Sequence, residues 1–315
     1  MRVFITRSIL NSGIEYLKQN GHEVEIFMGE GPIDQKSLYQ GAKKSDALIT
    51  MLNDQIDSAF LKENSHLKVI ANYAVGINNI DITTAKNLNI RICNTPDVLT
   101  EATAEIALTL MLNVARNITT SREAIVNGQF ISFNPKGYLG FGLKGKTLGV
   151  IGMGRIGGLL ADKAHKAFDM KVIYHSRKNK FHPIYEYVDL NDLLSRSDVI
   201  SIHTDLNESS KFLINADSFK LMKKNAILIN TARGDVIDQE ALIFALSENK
   251  IWGAGLDVTS PEPLPHNHPL LGLKNCFILP HIGSATFETR EEMSLFSAKN
   301  IQAVFDGECP KGLVV

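Results

Sequence analysis

The chain has 315 residues, more than one hydrophobic core usually serves, so two domains are expected. Apolar residues make up 44% and charged residues 21%, an ordinary globular balance. The 33 basic and 34 acidic side chains nearly cancel, which argues against a nucleic-acid or membrane-surface partner and for a small molecule.

Met1-Arg2-Val3-Phe4-Ile5-Thr6 is too short an apolar run for a signal peptide, and no later run approaches the roughly 20 residues of a membrane span. A cytoplasmic location is expected. Cys93, Cys276 and Cys309 are scattered and lack CxxC spacing, so reduced thiols are expected rather than a disulfide framework or a thiolate metal site.

In chain order, strands are expected at Arg2 to Ile5, Val24 to Phe27, Ala47 to Thr50, Val69 to Asn72 and Ile90 to Cys93. Helices are expected between them at Asn11 to Asn20, Leu61 to Asn64 and Thr83 to Asn87. Short β-branched runs alternating with amphipathic stretches predict a parallel sheet covered by helices. Thr100 to Asn117 reads as a helix apolar on more than one face, suited to a domain or subunit interface. Gly128 to Gly145 reads as a loop.

A second series of six strands follows: Leu148 to Ile151, Val172 to Tyr174, Val199 to His203, Ala226 to Asn230, Trp252 to Leu256 and Cys276 to Leu279. That is a complete doubly wound domain. A last helix, Glu288 to Phe305, is expected to return to the first domain. The smaller domain is then discontinuous, 1–98 with 289–315, around an inserted domain at 99–288.

Gly152-Met153-Gly154-Arg155-Ile156-Gly157 follows a strand and opens a helix. In that context the three glycines allow a tight turn, close approach of a pyrophosphate, and close helix–strand packing. The phosphates would meet the N–H groups at the start of the helix. An NAD site usually presents a carboxylate at the end of the next strand. Here that position holds His175-Ser176-Arg177-Lys178, a hydroxyl and two cations suited to a 2′-phosphate. NADP(H) is therefore the preferred cofactor, with NAD(H) possible.

Arg233, Glu262 and His281 each follow an apolar strand in the second series, beside Gly or Pro. The carboxyl edge of such a sheet is where ligands bind. His266 and His268 form a short pair without metal-site spacing, so no metal is expected.

The chain resembles the D-isomer-specific 2-hydroxyacid dehydrogenases, and among them the glyoxylate/hydroxypyruvate reductases, over nearly its whole length. The resemblance is carried by Val75-Gly76-Ile77-Asn78-Asn79-Ile80-Asp81, Asn94-Thr95-Pro96-Asp97-Val98-Leu99-Thr100 and the glycine turn. It is carried further by Asn230-Thr231-Ala232-Arg233-Gly234, by Gly255-Leu256-Asp257-Val258 running on to Thr259-Ser260-Pro261-Glu262-Pro263-Leu264, and by Pro280-His281-Ile282-Gly283-Ser284. Formate dehydrogenases share the fold but lack a glutamate matching Glu262.

The resemblance implies α/β architecture with a Rossmann coenzyme domain inserted in a smaller flavodoxin-like substrate domain. It implies that Arg233 holds the substrate carboxylate and polarises the keto oxygen, that His281 is the general acid, and that Glu262 orients the imidazole. Val75 and Gly76 would offer backbone N–H groups to the carboxylate. Asp257 would accept from the nicotinamide amide, with Thr231 and Gly283 beside the cofactor. The implied activity is reduction of a small 2-keto acid such as glyoxylate or hydroxypyruvate to the D-2-hydroxy acid, by a homodimer. The alternatives are a 2-ketogluconate reductase, a phosphoglycerate dehydrogenase, or a non-catalytic dinucleotide-sensing protein.

Overall fold

A computed structural model describes residues 1–315. The chain divides into two compact units, Met1–Leu99 with Ser284–Val315, and Thr100–Gly283. The second crossing lies a few residues before the position expected from the sequence. The reason is local: Ser284–Thr286 forms the cap of the last helix, where the Thr286 side chain accepts from the Thr289 N–H.

In the first unit, β1 (Arg2–Ile5), β2 (Glu23–Ile26), β3 (Ala47–Thr50), β4 (Val69–Asn72) and β5 (Arg91–Cys93) form a five-stranded sheet in the order β2-β1-β3-β4-β5. Every pairing is parallel. This is the flavodoxin-like order. β3 and β4 are buried at every position, as strands covered on both faces must be. One face packs Val3, Ile5, Ile49 and Val69 with Met293 and Ile301 of α11 (Phe287–Phe305). The other packs Phe4, Leu48 and Ile70 beneath α2 (Gln35–Lys43) and α3 (Ser58–Glu63). α1 (Asn11–Gln19) and α4 (Ile82–Asn87) complete the unit.

The second unit opens with α5 (Thr100–Ala115) and α6 (Ile118–Val126). Its sheet contains β6 (Thr147–Ile151), β7 (Lys171–His175), β8 (Glu186–Tyr187), β9 (Val199–Ile202), β10 (Ile227–Asn230), β11 (Gly253–Leu256) and β12 (Cys276–Ile278). They lie in the order β12-β11-β10-β9-β6-β7-β8, all parallel. That is the doubly wound Rossmann order with one strand added beyond the usual six, and its switch point falls between β6 and β9. Leu148, Val150, Val172 and Tyr174 face the layer of α5 and α7 (Arg155–Phe168). Ile151, Ile173, Ile200 and Leu228 face that of α8 (Leu190–Arg196), α9 (Ala216–Leu221) and α10 (Gln239–Ser247).

The long helix expected to reach Asn117 stops at Ala115, because Asn117 adopts the left-handed conformation. The Asn113 side chain then accepts from the backbone N–H of Thr119 and starts α6. No helix is long and apolar enough to cross a membrane.

Candidate active site

The candidate residues of the second unit lie along one edge of its sheet, just beyond the strand ends. Hydrogen bonding between neighbouring strands continues past those ends. Gly152 N–H donates to the His175 carbonyl at 2.8 Å, and His203 N–H to the Ile151 carbonyl at 2.7 Å. Asp257 N–H reaches the Asn230 carbonyl at 2.9 Å, and His281 N–H the Asp257 carbonyl at 3.0 Å. The loops that carry the candidate residues are therefore laid side by side by the ladder itself.

The glycine turn between β6 and α7 fits a dinucleotide. Gly152 has φ +98°, and a Cβ there would lie 2.7 Å from the His203 backbone. A Cβ on Gly157 would overlap the Gly152 carbonyl oxygen. Those two glycines are required by the protein's own packing. Gly154 is different: a Cβ would meet nothing within 4 Å, and its backbone is extended. No side-chain hydrogen bond caps α7, whose first residues are Arg155, Ile156 and Gly157. A glycine with free space before an uncapped helix start is what a phosphate needs in order to approach.

No carboxylate stands at the end of β7. Ser176 is half-buried and donates to the Lys178 carbonyl at 2.6 Å, while Arg177 and Lys178 are exposed. The Arg177 Nη2 lies 3.5 Å from Oδ1 of Asp205 in the loop after β9.

Beyond β10, Asn230 shapes the Arg233 turn. Its side chain donates to the Arg233 carbonyl at 2.8 Å and accepts from the Ala232 N–H at 2.9 Å. Gly234 then allows this loop to touch the next, since a Cβ there would overlap the Thr259 backbone. The Arg233 guanidinium sits among low-dielectric surroundings. Burial lowers its pKa, and the neighbouring charge of Glu262 opposes that fall.

Glu262 and His281 meet directly, with Oε1 and Nδ1 2.5 Å apart. The second Glu262 oxygen accepts from the Thr259 N–H at 3.4 Å. A carboxylate on Nδ1 makes that nitrogen the N–H donor, so Nε2 is the ring atom left to exchange a proton.

Asp257 is buried beneath this loop, and its two oxygens accept from the N–H groups of Ile282 at 2.7 Å and Gly283 at 2.8 Å. Burial raises its pKa, opposed by those two bonds and by His281. The carboxylate thereby holds His281 in its left-handed conformation, φ +55°. The sequence did not point to this positioning task.

Sequence reasoning also passed over His203. Its Nε2 lies 2.8 Å from Ser201 Oγ, and its Nδ1 lies 3.3 Å from Thr231 Oγ1. Burial of the ring pulls its pKa down to about 4, so the ring is neutral. Its ring contact with Thr231 links the loop after β9 to the loop after β10.

Val75 and Gly76 lie in the first unit, in the loop after β4. Their carbonyls accept from Asn94 Nδ2 at 2.8 Å and Asn72 Nδ2 at 2.7 Å, which fixes the loop. His268 is occupied structurally: its Nδ1 accepts from the Leu270 N–H, and its Nε2 lies 3.1 Å from Gln239.

The family profile for the D-isomer specific 2-hydroxyacid dehydrogenase NAD binding domain matches residues 108–283. A glyoxylate reductase of Thermococcus litoralis is 45% identical over 99% of this chain and 96% of its own length. The crystal structure of the TT0316 protein from Thermus thermophilus is 42% identical, with a TM-score of 0.96 and full coverage of both chains. An NADPH-dependent glyoxylate/hydroxypyruvate reductase from Sinorhizobium meliloti, in complex with NADP and malonate, is 27% identical with a TM-score of 0.86, covering all of this chain and 96% of that one. With a Rossmann sheet, a glycine turn open to phosphate and a match that spans the chain, this protein belongs to the D-isomer-specific 2-hydroxyacid dehydrogenases and is a nicotinamide-dependent enzyme.

Proposed function

We propose that the chain reduces a small 2-keto acid, glyoxylate or hydroxypyruvate, to the D-2-hydroxy acid, with NADPH preferred over NADH. The observation that carries the chemistry is the 2.5 Å contact between Glu262 and the His281 Nδ1, with Arg233 held in the electrostatic reach of Glu262. Bound nicotinamide dinucleotide supplies the hydride. Arg233 is assigned to the substrate carboxylate, because its planar fork matches two oxygens. The His281 Nε2 gives its proton to the keto oxygen and takes it back in the reverse direction, while Glu262 holds the ring. Thr231, Asp257 and Gly283 are assigned to the cofactor side of the site.

The cofactor preference is supported by the end of β7, where Ser176, Arg177 and Lys178 stand in place of an acid. The Sinorhizobium relative with NADP is consistent with it. We further propose a homodimer, covering the apolar side chains that α6 and the following loop expose, and a cytoplasmic site of action.

The test is turnover of glyoxylate, hydroxypyruvate, pyruvate and 2-ketogluconate, each with NADPH and NADH. The highest kcat/KM is expected for glyoxylate or hydroxypyruvate with NADPH. Equal or better turnover with NADH removes the cofactor preference. Tight nucleotide binding without turnover of any of the four replaces the enzyme with a sensor.

A further inference from the structure

One charged group at the nucleotide crevice, Asp205, has no task in the proposed reaction. It lies just beyond β9, which flanks β6 on the side opposite β7, the strand that leads to Arg177. The contact between Arg177 Nη2 and Asp205 Oδ1 at 3.5 Å therefore spans the switch point in front of the glycine turn. A dinucleotide bound in this fold lays its adenosine ribose there.

The carboxylate is anchored from behind. Asn207 Nδ2 donates to Oδ2 at 3.1 Å, and Ser210 Oγ donates to the Asp205 carbonyl at 2.6 Å. Arg177, by contrast, has a side chain three-quarters exposed and no other hydrogen bond. The fixed member of the pair is the acid, and the free member is the base.

We infer that Asp205 is a cofactor-specificity residue that narrows the preference for a 2′-phosphorylated ribose. It draws Arg177 toward itself and sets a negative charge beside the phosphate that Arg177 would engage. A ribose 2′-OH meets no such repulsion, because a carboxylate accepts its hydrogen bond. Both groups are largely in water, so the effect is a modest factor, and it is sensitive to salt. The inference rests on the proposed reading of Arg177 as a 2′-phosphate partner.

Calorimetric titration of the full chain with 2′,5′-ADP and with 5′-AMP separates the two claims. Asp205→Asn keeps the shape of the side chain, its acceptor for Asn207 and the backbone bond to Ser210. It is expected to tighten 2′,5′-ADP by about three- to tenfold while changing 5′-AMP by less than about twofold, with the gain shrinking at about 0.5 M salt. Arg177→Ala is expected to weaken 2′,5′-ADP and leave 5′-AMP alone. If Arg177→Ala weakens 2′,5′-ADP but Asp205→Asn does not strengthen it, the role of Asp205 is overturned and that of Arg177 stands. If Arg177→Ala changes nothing, the reading of Arg177 falls and the inference falls with it.

Discussion

His203 shows how much a single side chain at the switch point can cost in acid. Its ring nitrogens lie against the hydroxyls of Ser201 and Thr231, and burial sets its proton affinity. Its folded pKa of about 4 lies below the ordinary 6.5, so the unfolded chain takes up a proton that the folded chain refuses. Stability from this group is complete above about pH 6.5 and is lost as pH falls toward 4, by at most about 3 kcal/mol. Thermal melts of His203→Asn against the parent are expected to show a shallower loss of Tm between those limits; parallel curves would contradict the assignment. The placement of Arg233, Glu262 and His281 was legible, because each follows an apolar strand at a Gly or Pro. His203 and Asp205 were not, because their partners Thr231 and Arg177 arrive from other strands and no local spacing announces them.

At the scale of elements, the glycine turn separates two demands that look alike in sequence. Gly157→Ala drives a Cβ into the Gly152 carbonyl, so it is expected to lower Tm and abolish nucleotide binding together. Gly154→Ala meets no protein atom; it is expected to lose about 1 kcal/mol or less of stability as a poorer helix cap, yet weaken NADPH by at least about tenfold. Calorimetry beside thermal melts reads both. Unchanged affinity in Gly154→Ala would remove the phosphate from this turn. The sheet strands were readable because parallel strands covered on both faces are nearly continuous apolar runs. Other elements escaped. α2 is largely polar, with only Leu38, Gly41 and Ala42 buried, and depends on its Asp34 cap. β8 is a two-residue edge strand. α6 was hidden because α5 seemed to run on through Asn117, and the corner is made by the left-handed Asn117 and the Asn113–Thr119 contact.

For the whole molecule, the proposed dimer rests on α6 and the loop after it. Ile125, Val126, Ile131 and Phe133 are all more than 60% exposed, an apolar concentration that a lone chain in water does not favour. Light scattering is expected to give about twice the chain mass of 34.8 kDa, and a particle at the single-chain mass would refute the proposed dimer. The catalytic assignment is tested more directly by replacing the proton donor alone. Asn tolerates the left-handed backbone that residue 281 adopts, so His281→Asn removes the imidazole without straining the loop. Single-turnover oxidation of NADPH at saturating glyoxylate should slow by about 10² to 10⁴, with NADPH affinity held within about twofold. A rate within about threefold of the parent would contradict the account, because the proton would then be coming from elsewhere.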